Sequence, residues 1–217
     1  PAATEVAKQV DSLYGFLLIS SLISFILLMG GLFYFIYKYR RKGEDDKTAY
    51  ITHNNTLEFL WSFIPFVIFM VCFFWGMFIY LDMRTFPDDA MEIHVYGKKW
   101  DWEFVYKNGH SEISDVGDDG KKIPATMVVP LNKPIKLIMT SIKVNPDDKR
   151  DRAVLHSFFI PAFRVKQDIV PGRYTALTFT ATKKGTFHVF CTEYCGTGHS
   201  SMLGRVKVVD ELEFNNW

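Results

Sequence analysis

Two cysteines, a histidine and a methionine fall within twelve residues, Cys191-Thr-Glu-Tyr-Cys195-Gly-Thr-Gly-His199-Ser-Ser-Met202, and so place two thiols, an imidazole and a thioether side by side. These are metal-ligand types on the soft side of the scale. Structural zinc sites usually pair C-x₂₋₄-C with a second such pair, which this chain lacks, and methionine is a poor zinc ligand. Copper suits the set better, since a mononuclear blue site is His₂Cys with a weak axial Met. One cysteine is then left over. It is accounted for if both sulfurs bridge two copper ions, each needing one imidazole and one weak ligand, and a second histidine must then come from elsewhere in the chain. The other reading the pair allows is a Cys191–Cys195 disulfide in an oxidising compartment.

The elements that would hold such a loop follow from the pattern of residues 91–209. Short β-type runs at 91–97, 99–106, 126–130, 134–142, 154–160, 173–182, 186–190 and 203–209 are separated by Gly, Pro, Asn and Asp clusters. So many strands in about 130 residues imply a sandwich or barrel. Alternation is clearest in Arg205-Val-Lys-Val208, whose valines share a face. In the run 154–160, His156 interrupts an otherwise apolar strand. Alone it reads as a core histidine; beside the cysteine loop it is the candidate for the missing imidazole.

The first 82 residues differ in kind. No charged residue occurs from Leu13 to Tyr37 or from Phe59 to Leu81, and each stretch exceeds the roughly 20 residues that a helix needs to cross a hydrocarbon core. Both are too long for the apolar region of a signal peptide. Pro1 in place of Met suggests a processed or partial N-terminus. The reading is a polar segment 1–12 with little to anchor it, a transmembrane hairpin 13–82 with helices at about 13–38 and 58–82, and a β domain 88–217. Asp11-Ser12 would cap the first helix, and Ser20, Ser21, Ser24, Gly30 and Gly31 would let partner helices approach closely. Pro65 should bend the second helix. Trp61 and Tyr80 suit its interfacial ends, and Cys72 reads as packing.

The connector carries Lys38, Arg40, Arg41, Lys42 and Lys47, which makes it cytoplasmic by the positive-inside rule and puts both termini and the β domain on the opposite, periplasmic side. Glu58, at the membrane edge, reads either as a cap near a helix N-terminus or as a point where protons enter. Charge over the whole chain is nearly balanced, 25 basic against 24 acidic residues, and no nucleic-acid partner is expected.

An upstream strand histidine with a C-terminal Cys, His and Met loop is the ligand layout of the copper-binding Greek-key sandwich. Residues 154–209, with His156-Ser-Phe, Lys166-x-Asp168, Pro171-Gly172-Arg173 and Cys-x-Glu-x-Cys-Gly-x-x-His-x-x-Met, closely resemble subunit II of the haem-copper cytochrome c oxidases. The helical hairpin, Leu57-Glu58-x-x-Trp61 and Trp100-x-Trp102 are similar to that family too.

The resemblance implies a two-helix transmembrane hairpin followed by an all-β cupredoxin-like Greek-key sandwich. It further implies a mixed-valence dinuclear copper A centre bridged by Cys191 and Cys195. His156 and Met202 would complete one copper, and His199 with the Glu193 carbonyl the other. The Glu193 carboxylate would bind a magnesium shared with subunit I. Trp100, backed by Trp102, would receive electrons, and Glu58 would lie at the mouth of a proton pathway. The implied role is electron input to a proton-pumping oxidase that reduces O2 to water. Its partners would be subunit I and further membrane subunits, with cytochrome c or a membrane-bound cytochrome c domain as donor. A bacterial plasma membrane is preferred over a mitochondrial inner membrane.

Around Trp100, Asp101, Glu103, Glu112, Asp115, Asp118 and Asp119 face a single lysine between positions 101 and 119, a field that would steer a basic donor. Two departures from the family pattern stand out. Ala153 occupies a position that is often acidic, and the charged insertion Asn145–Arg152 precedes it. No Cys-x-x-Cys-His motif occurs, so no haem is expected in this chain. The copper domain of a nitrous oxide reductase shares the cysteine motif but not the hairpin. A quinol oxidase subunit shares the fold but has lost the copper ligands. A copper-delivery protein would need an exchangeable site rather than one completed from two distant segments.

Overall fold

The computed structural model describes residues 2–47 and 49–217 and divides into two units, residues 11–78 and residues 1–10 with 79–217. Pro1 lies outside the described residues. Two helices supply the first unit, α1 (Glu5–Lys38) and α2 (Asn55–Arg84), both long and apolar enough to cross a membrane. Among the described residues of 11–78 none is buried, as expected of helices whose solvent is lipid rather than water. They touch through Phe16 and Trp75, whose ring centroids lie 5.9 Å apart. No β-carbon at Gly30 or Gly31 would meet a neighbour within 4 Å, which leaves both positions open. α2 continues through Pro65.

α2 begins with reciprocal capping. Asn54 Oδ1 accepts from the Leu57 N–H at 3.1 Å, and the Glu58 carboxylate accepts from the Asn54 N–H at 3.0 Å, so two groups that a helix start leaves unpaired are satisfied.

The start of α1 departs from the sequence reading. It begins at Glu5, not near residue 13, and its cap is Thr4, whose Oγ1 accepts from the Ala7 N–H at 3.0 Å. The segment is anchored. Ala3, Thr4 and Ala7 are buried, Ala3 N–H donates to Ala162 O, and Thr182 N–H donates to Ala3 O. Small residues carry almost no hydropathy signal, which is why the segment looked merely polar.

The second unit holds twelve strands, ten of which form a sandwich: β1 (Met91–Lys98), β2 (Asp101–Tyr106), β3 (Ser111–Glu112), β4 (Asp115–Val116), β5 (Lys122–Ile123), β6 (Thr126–Pro130), β7 (Pro134–Ser141), β8 (His156–Ile160), β9 (Val165–Ile169), β10 (Thr175–Thr180), β11 (Gly185–Cys191) and β12 (Leu203–Val209). One sheet runs β10-β7-β1-β2-β3, the other β6-β12-β11-β8-β9, and β4-β5 form a small hairpin of their own. β1 with β7 and β12 with β6 are parallel pairs; the remaining ladders are antiparallel. A short helix α3 (Glu211–Asn216) follows, capped by Asp210.

Alternation along the strands sends Trp102, Phe104, Leu137, Met139, Phe158, Val189, Val206 and Val208 into one core. Phe158 meets Trp102 and Phe104 edge to face, with centroids 5.2 and 6.2 Å away. The two sheets are also tied by a polar clip, in which Tyr106 Oη donates to Val128 O at 2.9 Å and accepts from Val128 N–H at 2.7 Å. Burial holds that phenol well above the ordinary tyrosine range.

Candidate metal centre

β8 and β11 are neighbours in the second sheet, with Cys191 opposite Phe158 in register. His156 lies two residues from Phe158, hence on the same side of the strand, so the pairing that builds the sheet brings the lone strand histidine to the first cysteine. The cysteine loop then folds back. Thr192 N–H donates to Ser157 O at 3.0 Å, His199 N–H to Gly196 O at 3.0 Å and Met202 N–H to His199 O at 3.3 Å. Gly196 has a φ of 115°, which a side chain would strain.

The result gathers all the donors. Cys191 Sγ lies 3.8 Å from His156 Nδ1 and 3.3 Å from Glu193 O, and Cys195 Sγ lies 3.6 Å from His199 Nδ1 and 3.9 Å from Met202 Sδ. The two sulfurs are 3.8 Å apart and both cysteines are free, so the disulfide reading fails. His156, Cys191, Cys195 and Met202 are buried.

Burial, with Cys191 alongside, pushes the Cys195 thiol up to about 12, and burial together with His199 pushes His156 down to about 4. Both shifts favour the neutral Cys195 thiol and the neutral His156 imidazole, and a soft cation is what would favour a thiolate there. The donor set fits copper. His156 is held edge-on to Trp102, and its ring lies so close to Gly97 that a β-carbon there would come within 2.9 Å.

The indole of Trp100 lies against the same loop. Its Nε1–H donates to Cys195 O at 3.0 Å, and a β-carbon on Gly198 would fall 2.4 Å from its Cδ2. Trp100 is half-buried, whereas Trp102 is fully buried behind the site. Nothing in the spacing of Gly196 and Gly198 announced that they make room for an aromatic ring 96 to 98 positions earlier.

The carboxylates around Trp100 have partners that a count of lysines between 101 and 119 missed. Asp101 pairs with Lys122 at 3.2 Å and accepts from Ser114, Glu103 pairs with Lys98 at 2.5 Å, Glu112 with His110 at 2.9 Å and Asp119 with Lys121 at 3.0 Å. Glu103 is pushed up by burial, but the hydrogen bonds from Lys98 and Ser111 outweigh this and leave it below its usual range. Asp115 and Asp118 are the two without a basic partner among the described residues. The insertion 145–152 returns to the same end of the domain, where Asp151 pairs with Lys99 at 2.6 Å, accepts from Asn145 N–H, and is thereby held down to about 2. The Glu193 side chain is exposed, and Glu58 caps α2 as described.

Two apolar helices followed by a β-sandwich whose end gathers two cysteines, two histidines and a methionine define a membrane protein with a cupredoxin-like domain. The family model for the periplasmic domain of cytochrome c oxidase subunit II matches residues 91–209, and the model for its transmembrane domain matches residues 1–79. The chain belongs to the cytochrome c oxidase subunit II family.

Cytochrome c oxidase subunit 2 of Cereibacter sphaeroides is 29% identical over 247 residues, taking in 100% of this chain and 77% of the relative. The alternative cytochrome c oxidase subunit 2 of Bradyrhizobium diazoefficiens is 28% identical over 204 residues, 85% of this chain and 70% of the relative. The crystal structure of the periplasmic domain of subunit II of cytochrome oxidase from Bradyrhizobium japonicum matches with a TM-score of 0.52 at 33% identity, covering 61% of this chain and 94% of that one.

Proposed function

We propose that this chain is the electron-input subunit of a proton-pumping haem-copper cytochrome c oxidase. It takes electrons from cytochrome c, or from a membrane-bound cytochrome c domain, and passes them to the haem of subunit I, where O2 is reduced to water. The observation that carries the reading is the symmetry of the donors: Cys191 has one imidazole and one carbonyl beside it, and Cys195 one imidazole and one thioether. Two copper ions bridged by both sulfurs would draw on this set, His156 and Met202 completing one and His199 and the Glu193 carbonyl the other. Bound there, dinuclear copper supplies a one-electron relay whose charge is shared over two metals.

The chain's own residues serve that relay by staying still. Buried Cys191, Cys195, His156 and Met202 exclude water, and the backbone bonds of the 192–202 loop hold the donors whatever their charge. Trp100 offers a half-exposed ring joined to a ligand residue by its bond to Cys195 O, and Trp102 is buried against His156. The donor docks at this end of the domain, where the carboxylates of 101–119 line the approach. Glu193 presents an exposed carboxylate suited to a hard cation such as magnesium at a contact with subunit I. The basic connector keeps 38–47 in the cytoplasm and the β domain on the outer side of a bacterial plasma membrane.

Electron paramagnetic resonance of the copper-loaded protein tests the reading. Hyperfine splitting from one electron shared equally over two copper nuclei is expected, and Cys195→Ser should abolish it while the β domain stays folded. Splitting from a single copper in the unaltered protein would overturn the dinuclear assignment.

A further inference from the structure

We propose that Gly97 is a positioning residue for the metal centre: the side chain it lacks leaves the slot in which the His156 imidazole stands, and the fit of that slot sets how evenly two coppers share an electron. This rests on the electron-input reading above and adds to it the part of the chain that holds one half of the centre level with the other.

Alternation along β1 turns Ile93, Val95 and Gly97 towards the core, so the pattern calls for a third apolar side chain at 97. Glycine yields that volume to the facing sheet instead. A β-carbon at 97 would come within 2.9 Å of His156 Cδ2, 3.4 Å of its Cγ and 3.5 Å of Trp102 Cζ3. The backbone there is pinned. Gly97 pairs with Trp102 on one side and Ser141 on the other, and its carbonyl accepts from the Ile142 N–H at 3.0 Å.

The imidazole has no way to retreat either. It is fully buried, with Trp102 edge-on to it at 5.9 Å between ring centroids. A metal-binding histidine is usually oriented by a hydrogen bond from its second ring nitrogen. His156 Nε2 is buried and makes no hydrogen bond to any described residue. Shape therefore orients this ring, with Gly97 against Cδ2 and Cys191 Sγ 3.8 Å from Nδ1.

His199 is placed differently. It rides on the short turn His199–Ser201 of the ligand loop, half-buried, with the exposed ring of Tyr194 beside it at 5.8 Å. One imidazole is thus seated by a strand of the opposite sheet and the other by the ligand loop itself. Equal sharing of one electron needs two metal sites of equal energy, so moving one imidazole and not the other localises the electron.

The test uses the full chain loaded with copper, unaltered and as Gly97→Ala and Gly204→Ala. The second variant is the control. A β-carbon on Gly204 would fall 3.0 Å from Trp102 Cδ1 and 3.3 Å from Val189 Cβ, crowding the same indole at its pyrrole end, away from the Cζ3 that faces Gly97. Neither glycine has a positive φ, so both substitutions probe space alone. Gly97→Ala should abolish equal hyperfine coupling to the two copper nuclei in electron paramagnetic resonance and weaken the Kd for copper about tenfold. Gly204→Ala should keep the coupling equal. Equal coupling in Gly97→Ala would overturn the proposal, and so would unequal coupling in Gly204→Ala, which would make the seat a property of the whole core. If Gly97→Ala does not fold, adding His156→Ala should restore folding of the copper-free chain, read by circular dichroism, because it removes the ring that the new methyl meets. A double variant that stays unfolded would overturn the proposal too. A single-copper signal from the unaltered chain is the separate outcome in which the dinuclear reading falls, and the proposal with it.

Discussion

Phe69 in α2 and Phe158 in β8 are the same residue used in opposite ways. Phe158 is fully buried between Trp102 and Phe104, whereas Phe69 is 68% exposed. The difference teaches that burial within the chain measures stability only where water is the solvent. In the sandwich the hydrophobic effect holds side chains together. In the helices lipid is as apolar as the side chains, so what holds them is backbone hydrogen bonding within each helix and whatever packs against their outer faces.

That contrast is open to direct attack, and the two phenylalanines give the largest expected effect. Phe158→Ala should destabilise the β domain by about 3–5 kcal/mol in chemical denaturation, and Phe69→Ala should cost less than about 1 kcal/mol. Failure of the Phe69→Ala oxidase to assemble would show that this face of α2 packs on another subunit.

Gly198→Ala sharpens the comparison within the sandwich, because its β-carbon would overlap the Trp100 ring. It should cost about 1–3 kcal/mol and shift the tryptophan fluorescence as the indole is displaced. A stable variant with an unshifted spectrum would mean that the ring has room to spare. The smallest effect is expected at the other end of the chain's polarity scale. Glu58→Gln keeps an oxygen for the Asn54 N–H and removes only the titratable proton, so stability should change by less than about 0.5 kcal/mol. Turnover of the oxidase should nevertheless fall severalfold. Unchanged turnover would return Glu58 to the role of a cap alone.

What could be read from the sequence was what is local or strongly periodic. Four of the donors sit within twelve residues, and the charge-free stretches of α1 and α2 exceed the length needed to span a bilayer. His156 was legible as an interruption of an apolar strand, though only the β8–β11 pairing explains why it meets Cys191. What escaped was carried by residues with weak signals. β9 reads Val-Lys-Gln-Asp-Ile, with only its ends apolar, and both ends are buried. Ala3, Thr4 and Ala7 are too small to register as a core, yet they close the first turn of α1 onto the β domain. The lysines that pair the carboxylates near Trp100 lie outside the acidic stretch, at 98 and at 121–122, so charge counted along the chain misjudged charge arranged in space.

The buried start of α1 bears on the order in which the molecule can be finished. Thr4 Oγ1 donates to Phe163 O, 159 positions away, and Thr182 Oγ1 donates to Ala3 O, 179 positions away. Synthesis runs from one end, and these partners are made long after both membrane helices have left the ribosome. The stretch before α1 therefore stays without these partners until residues 162–182 have been made. Its docking closes a loop that contains the whole hairpin, and only then are the helix start and the sandwich edge both satisfied. Contacts of such long sequence separation form slowly. Until they form, the membrane helices can be complete while the helix start and the sandwich edge are both still open.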